Sequence, residues 1–199
     1  MSYASFLSTA SGSYSHAEGD STTASGYSSH AEGNDAKALG DYSHAEGNST
    51  TAEGSRFTHA EGYGTTASGD YTHSEGWSTT ASRGGSHAEG RETTASGYHS
   101  HAEGWKTTAS GDNSHAEGYN TTASNNYSHA SGLFTIADKE AQTVVGQYNN
   151  KDDTNANNSL FVVGNGESDS TRSNAFIITK NGDIYVYGTI HCKNIIHDL

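Results

Sequence analysis

The chain has 199 residues, only 31% of them hydrophobic, and a formal charge of −13. An acidic balance of this size disfavours nucleic acid and anionic membrane surfaces as partners, since both require a basic face. So little apolar side chain excludes an ordinary two-layer core, and with high charge it would signal disorder if the sequence had no order of its own.

The order is a strict period. His recurs at 16, 30, 44, 59, 73, 87, 101, 115 and 129, a spacing of 14 broken once by one extra residue in 55–58. Each His sits in a Ser/Thr-His-Ala-Glu-Gly unit, with Ser74 in place of Ala once and Ser131 in place of Glu in the last copy. A second unit, Thr-Thr-Ala-Ser-Gly, alternates with it, as from Thr22 to Gly26 and from Thr93 to Gly97. Both fit one seven-residue frame in which Gly follows Ala by two, with departures at Arg83 and Asn125. Such a repeat fixes the architecture before any local reading.

Strand alternation puts Ser15, Ala17 and Gly19 on one face and His16 and Glu18 on the other. Likewise Thr22, Ala24 and Gly26 oppose Thr23 and Ser25. A face of Ala and Gly in every unit is what a very narrow interior demands. Two short strands and two turns complete a coil of about 14 residues, and coils stack about 4.8 Å apart. A helix is disfavoured because Gly at every seventh residue costs about 1 kcal/mol each. Collagen is excluded by the absence of proline and of a three-residue Gly period. The expected fold is therefore all-β, a parallel β-roll over residues 1–132. Its Ala core gains about 0.8 kcal/mol per buried CH₂. Backbone entropy costs about 1–2 kcal/mol per residue. That balance points to self-association.

Beyond Leu133 the composition shifts, with apolar runs at 143–145, 160–163, 175–178 and 184–187. Asn181-Gly182 between two of them signals a hairpin, and Asn165-Gly166 a second turn. Residues 148–159 read as an exposed loop, and 133–199 as a small antiparallel β domain that caps the roll and helps to lock its assembly. The single cysteine, Cys192, rules out an intrachain disulfide. No apolar run approaches the roughly 20 residues of a membrane-spanning helix, so no membrane insertion is expected. The first residues lack the charged segment of a signal peptide, so a location outside a cell would call for a route other than standard secretion, of which release by lysis in a phage particle is one.

From about Ser8 to Gly132 the repeat resembles the head repeat of trimeric autotransporter adhesins (YadA-like), in which Ser-Val-Ala-Ile-Gly strands alternate with Ser/Thr-x-Ala-x-Gly strands. The resemblance implies a left-handed parallel β-roll assembled as a homotrimer, its Val and Ile positions packed around the axis. By position these become His16, His30, His44, His59, His73, His87, His101, His115 and His129, with Glu18, Glu32, Glu46, Glu61, Glu75, Glu89, Glu103 and Glu117. An apolar seam has become a His and Glu seam. It can serve as a His-to-carboxylate hydrogen-bond network between chains. Alternatively, its rings hold a metal or an anion on the three-fold axis, and no other cofactor is expected. A third reading is a pH response.

Leu160 to Gly166, Ser173 to Phe176 and Asn181 to Val186 resemble a segment of tail-fibre and tail-appendage proteins of phages and prophages of Gram-positive bacteria. In those proteins an autoproteolytic or chaperone domain often follows. Here the chain ends at Leu199, with that domain absent, cleaved or cut away.

Two further sets of residues are candidates for function. Thr23, Thr51, Thr66, Thr80, Thr94, Thr108 and Thr122 form a ladder beside Ser25, Ser68, Ser82, Ser96 and Ser110. It is similar to the flat Thr arrays of ice-binding solenoids, although a polar strand facing solvent or the trimer explains it too. Tyr63, Trp77, Tyr98, Trp105 and Tyr119 occupy linking positions, where aromatics pack turns or contact glycans. There is no nucleophile with a paired base and no phosphate-cradling loop, and nine equivalent His are not catalytic candidates, so no enzyme is expected. The function expected is a trimeric structural or adhesive fibre of a phage or prophage tail, in the virion or at a cell surface. Its partners would be itself, other tail proteins, and a host-surface glycan or protein receptor. The alternatives are a bacterial surface adhesin head and a tailspike-type polysaccharide-degrading enzyme.

Overall fold

The computed structural model describes residues 7–191, so Cys192 lies outside the described residues. The chain winds into a parallel β-solenoid in which two-residue and five-residue strands alternate. The short strands, from Thr9–Ala10 to Ile136–Ala137, form one ten-stranded sheet. The long strands, beginning at His16–Asp20, form the other. Register is exact from coil to coil: His73 lies on His87, Ala88 on Ala102 and Glu89 on Glu103. The extra residue in 55–58 is absorbed at a corner, where Asp41 bridges to Arg56, and the ladders on either side continue unbroken.

The interior is what alternation dictates. Ala24, Ala31, Ala60, Ala88, Ala102 and Ala130 are fully buried, as are the Thr of the paired column, such as Thr93 and Thr107. Ser74 takes an Ala position and satisfies its hydroxyl against Thr79 Oγ1 at 2.8 Å. At one corner the Ser or Thr before most of the repeat His residues donates to the carbonyl three residues back, as Ser100 does to Gly97 at 2.7 Å and Ser114 to Gly111 at 2.6 Å, whereas Thr58 Oγ1 is buried without a partner among the described residues. Each corner also needs a residue in the left-handed region, and Tyr42 (φ 56°) and Ser78 (φ 55°) supply it without being glycine. Gly90 shows why the long strand must end its repeat in glycine. Its φ is +103°, and a Cβ there would overlap the carbonyl oxygen of Gly104 in the next coil.

The coil pattern continues past residue 132. Thr143–Gln147 pairs in parallel with His129–Leu133, with Val144 on Ala130. Ser159–Asn165 then adds to it in parallel, with Val162 on Val144. Antiparallel order begins only with Asn174–Thr179 and Ile184–Val186. The runs at 143–145 and 160–163, read from sequence as antiparallel, thus extend the parallel sheet, and the buried position passes from Ala130 to Val144, Val162 and Ile177. The hairpin at Asn181-Gly182 is present, with Gly182 at φ +89°. The stretch 148–159, read as an exposed loop, is in part buried, at Asn149, Ala156 and Ser159.

The short-strand sheet ends against side chains. The Asn149 amide accepts from Ile136 N–H at 2.7 Å and donates to Ile136 C=O at 3.0 Å, standing in for the missing next strand. Asn174 does the same for Asn150, at 3.0 and 2.8 Å. Arg172 donates to the Phe134 and Asn149 carbonyls and to Asp169. Covering an edge in this way prevents open-ended strand addition.

Candidate functional site

All nine repeat His side chains lie in one column on the outer face of the long-strand sheet, with the Glu column beside them. Register fixes this directly, since each His sits on the His of the next coil. From His30 to His129 the rings stack nearly parallel, 4.7–4.9 Å apart and 2–7° from coplanar orientation. The rings are half-buried, with about 36% of the His59 and His115 side chains exposed.

The carboxylates come close within the same chain. His16, His59, His73 and His87 approach the Glu two residues on at 3.4, 3.8, 3.5 and 3.6 Å. In the last coils the pairing changes partner, and His115 and His129 approach Glu103 and Glu117 of the preceding coil, both at 3.5 Å. Only His16 makes a hydrogen bond to its carboxylate; Nε2 of His30 to His129 is buried beneath its neighbours with no hydrogen-bond partner among the described residues. The His-to-carboxylate pairing expected between chains is therefore already laid out inside each one.

Burial, and then the charge of the flanking rings, holds His59 and His87 below the ordinary imidazole value of 6.5. Glu117 is held below its ordinary range chiefly by the Ser131 hydroxyl, which stands where other coils place a carboxylate. These shifts favour the neutral form of His59 and His87 and the ionised form of Glu117.

Three groups bring His and Glu ligand atoms within 4.8 Å of one another: His59, Glu61 and His73; His87, Glu89 and His101; and Glu103, His115 and Glu117. The first two groups each pair two imidazoles from neighbouring coils, whereas the third has one imidazole and two carboxylates. Two imidazoles on one zinc must aim their ligand nitrogens at a shared point about 2.0–2.1 Å from each. Parallel stacked rings 4.7–4.8 Å apart do not converge.

The aromatic candidates divide between two corners. Tyr63, Trp77, Trp105 and Tyr119 close successive long strands in one column, with Arg91 between the Trp residues. The Arg91 guanidinium lies 4.0 Å from the Trp77 ring centre and 5.0 Å from that of Trp105. Tyr98 stands on the other corner, in the column of Asp70 and Asp112, and its N–H donates to Asp112 at 2.9 Å. Thr23, Thr51, Thr66, Thr80, Thr94, Thr108 and Thr122 face outward, half-buried, on the short-strand sheet. Among the described residues no helix is long and apolar enough to cross a membrane.

A family comparison matches the YadA head domain repeat at residues 7–29, 17–43, 31–56 and 106–124. The chain thus carries YadA-like head repeats in a parallel β-solenoid, an adhesin-like repeat architecture. No curated protein matches it.

Proposed function

We propose that the chain is a homotrimeric structural and adhesive fibre element, joined through its His and Glu face and displayed outside the cell. The observation that carries this reading is the His ladder that runs from His16 to His129 on one sheet face, at the positions that the resemblance to the trimeric head repeat implies would pack around an axis. Packing two further copies there would exclude water and draw each carboxylate from 3.4–3.9 Å onto its imidazole. A polar network gains strength as the local dielectric falls. The thin Ala interior supports the same conclusion, because one roll alone buries little.

Within that reading we place the fibre in a phage or prophage tail. The support is the C-terminal segment: the residues that resemble tail-appendage proteins form the cap of the solenoid, around Ser159–Asn165 and Asn174–Thr179. A bacterial surface adhesin head is the second reading, favoured by the family of the repeat itself. Both are non-enzymatic readings, supported by His and Glu pairs that recur from coil to coil, as in His73 with Glu75 and His87 with Glu89. The column of exposed Tyr63, Trp77 and Trp105 and half-buried Tyr119 supports contact with host glycans. Solution mass tests the trimer, and retention of labelled protein on candidate host cells tests attachment. Absence of retention on any host, with an intact trimer, would reduce the protein to a spacer.

A further inference from the structure

The repeat breaks its own rule once on the outer surface of the solenoid in a way that opens space. Arg83 stands where neighbouring coils place Gly69 and Gly97, and Gly84 falls between Asp70 and Tyr98 in a column that otherwise carries side chains. The missing side chain leaves a recess of about 470 Å³ lined by Ser68, Asp70, Ser82, Arg83, Gly84 and Tyr98. That volume falls within the roughly 300–1,000 Å³ of small-molecule sites.

Its walls have distinct chemistry. The Arg83 guanidinium lies over the Tyr98 ring, 5.0 Å from its centre, and enters no salt bridge among the described residues, unlike Arg91 and Arg172. Tyr98 offers an apolar wall beside it. Ser68 and Ser82 bring hydroxyls. The one carboxylate present, Asp70, is engaged through Oδ1 by the Arg56 N–H at 3.2 Å. A cation without a protein anion, an aromatic wall and small polar donors suit a ligand with an apolar ring face, hydroxyls and one negative group. We propose that this recess binds an anionic sugar residue, its charged group on Arg83 and its ring against Tyr98. The inference deepens the attachment reading and rests on it for its biological purpose.

The geometry supplies clean variants. Arg83→Gly restores the repeat. Gly84→Asp fills the recess with the residue that the same column carries at Asp70 and Asp112; a Cβ there meets only Asp70 and Tyr98, at 3.6 Å. Both should fold as the parent does, checked by unchanged circular dichroism.

Calorimetric titration of the full chain with methyl glucuronide, glucose 1-phosphate and neutral methyl glucoside is the test. Binding of at least one anionic sugar is expected, and whichever binds identifies a carboxylate or a phosphate source. Either variant should weaken it at least about tenfold, the loss of one charge-assisted hydrogen bond. Failure of both anionic sugars, equal binding of the neutral one, or undiminished binding by Arg83→Gly would overturn the proposal. Cell retention separates this from the broader reading. Equal capture of cells by parent and Arg83→Gly, with no sugar bound, leaves attachment standing and removes the recess. Sugar binding without cell retention does the reverse.

Discussion

The inner Thr column offers the sharpest test of how this narrow core is held. Oγ1 of Thr93, Thr107 and Thr121 is buried with no hydrogen-bond partner among the described residues, and all three side chains are fully shielded from solvent. A buried hydroxyl left unpaired costs about 1–3 kcal/mol. Replacing Thr by Val keeps the β-branch and nearly the volume, removes the hydroxyl and adds an apolar group worth about 0.8 kcal/mol. Each single Thr→Val change is therefore expected to stabilise the fold by about 1 kcal/mol or more. The triple variant should gain about 3 kcal/mol, less any coupling between these stacked sites. The assay is urea denaturation followed by far-UV circular dichroism, at one protein concentration because association contributes to stability. A higher midpoint is expected. A fall of 1 kcal/mol or more in the single variants, on the order of one net hydrogen bond, would show that the hydroxyls are paired and refute the reasoning.

Other outcomes follow from the same geometry. Gly90→Ala, which forces a Cβ into the Gly104 carbonyl at φ +103°, should cost at least about 3 kcal/mol, seen as a collapsed urea midpoint or loss of soluble protein. Asn149→Ala removes both bonds that close the short-strand sheet and should cost about 1–3 kcal/mol, with hydrogen exchange accelerated first at Ile136. Acid should destabilise the protein in two stages. The folded ladder holds His59 and His87 below 6.5, so the unfolded chain takes up protons first; stability is whole above that value and falls as pH drops beneath it. Glu117, held below its ordinary 4.5, adds a second loss as pH falls below that. A melting temperature that is flat or rises between neutral pH and pH 5 would contradict the first stage. Finally, His87→Val with Glu89→Ile recreates an apolar seam and should preserve the oligomer while weakening its acid sensitivity, measured by light scattering across pH.

Much of this architecture was legible because the repeat obeys strand alternation residue by residue. Ala17, Ala24 and their equivalents had to share a face with Gly, so the inward column and the outward His and Glu column could be assigned from spacing alone. The reading failed where residue size changed while the coil did not. Thr143, Val144 and Val145 take the places of His129, Ala130 and Ser131, but their apolar character suggested a new domain. The left-handed corners gave no signal, because Tyr42, Phe57 and Lys106 are not residues that favour φ above zero. The cap at Asn149 depends on a side chain imitating backbone, which no periodicity reveals. The recess at Arg83 was visible only as a departure from the frame. That Gly84 leaves the space open requires the neighbouring coils to be in place.

The most direct test of the account is the solution mass of the chain with and without a metal chelator. Three copies in both conditions are predicted, with the His and Glu face acting as a hydrogen-bonded seam that needs no ion. A single copy in both conditions would contradict the trimer, and a trimer that dissociates on chelation would contradict the network and place a metal on the His rings.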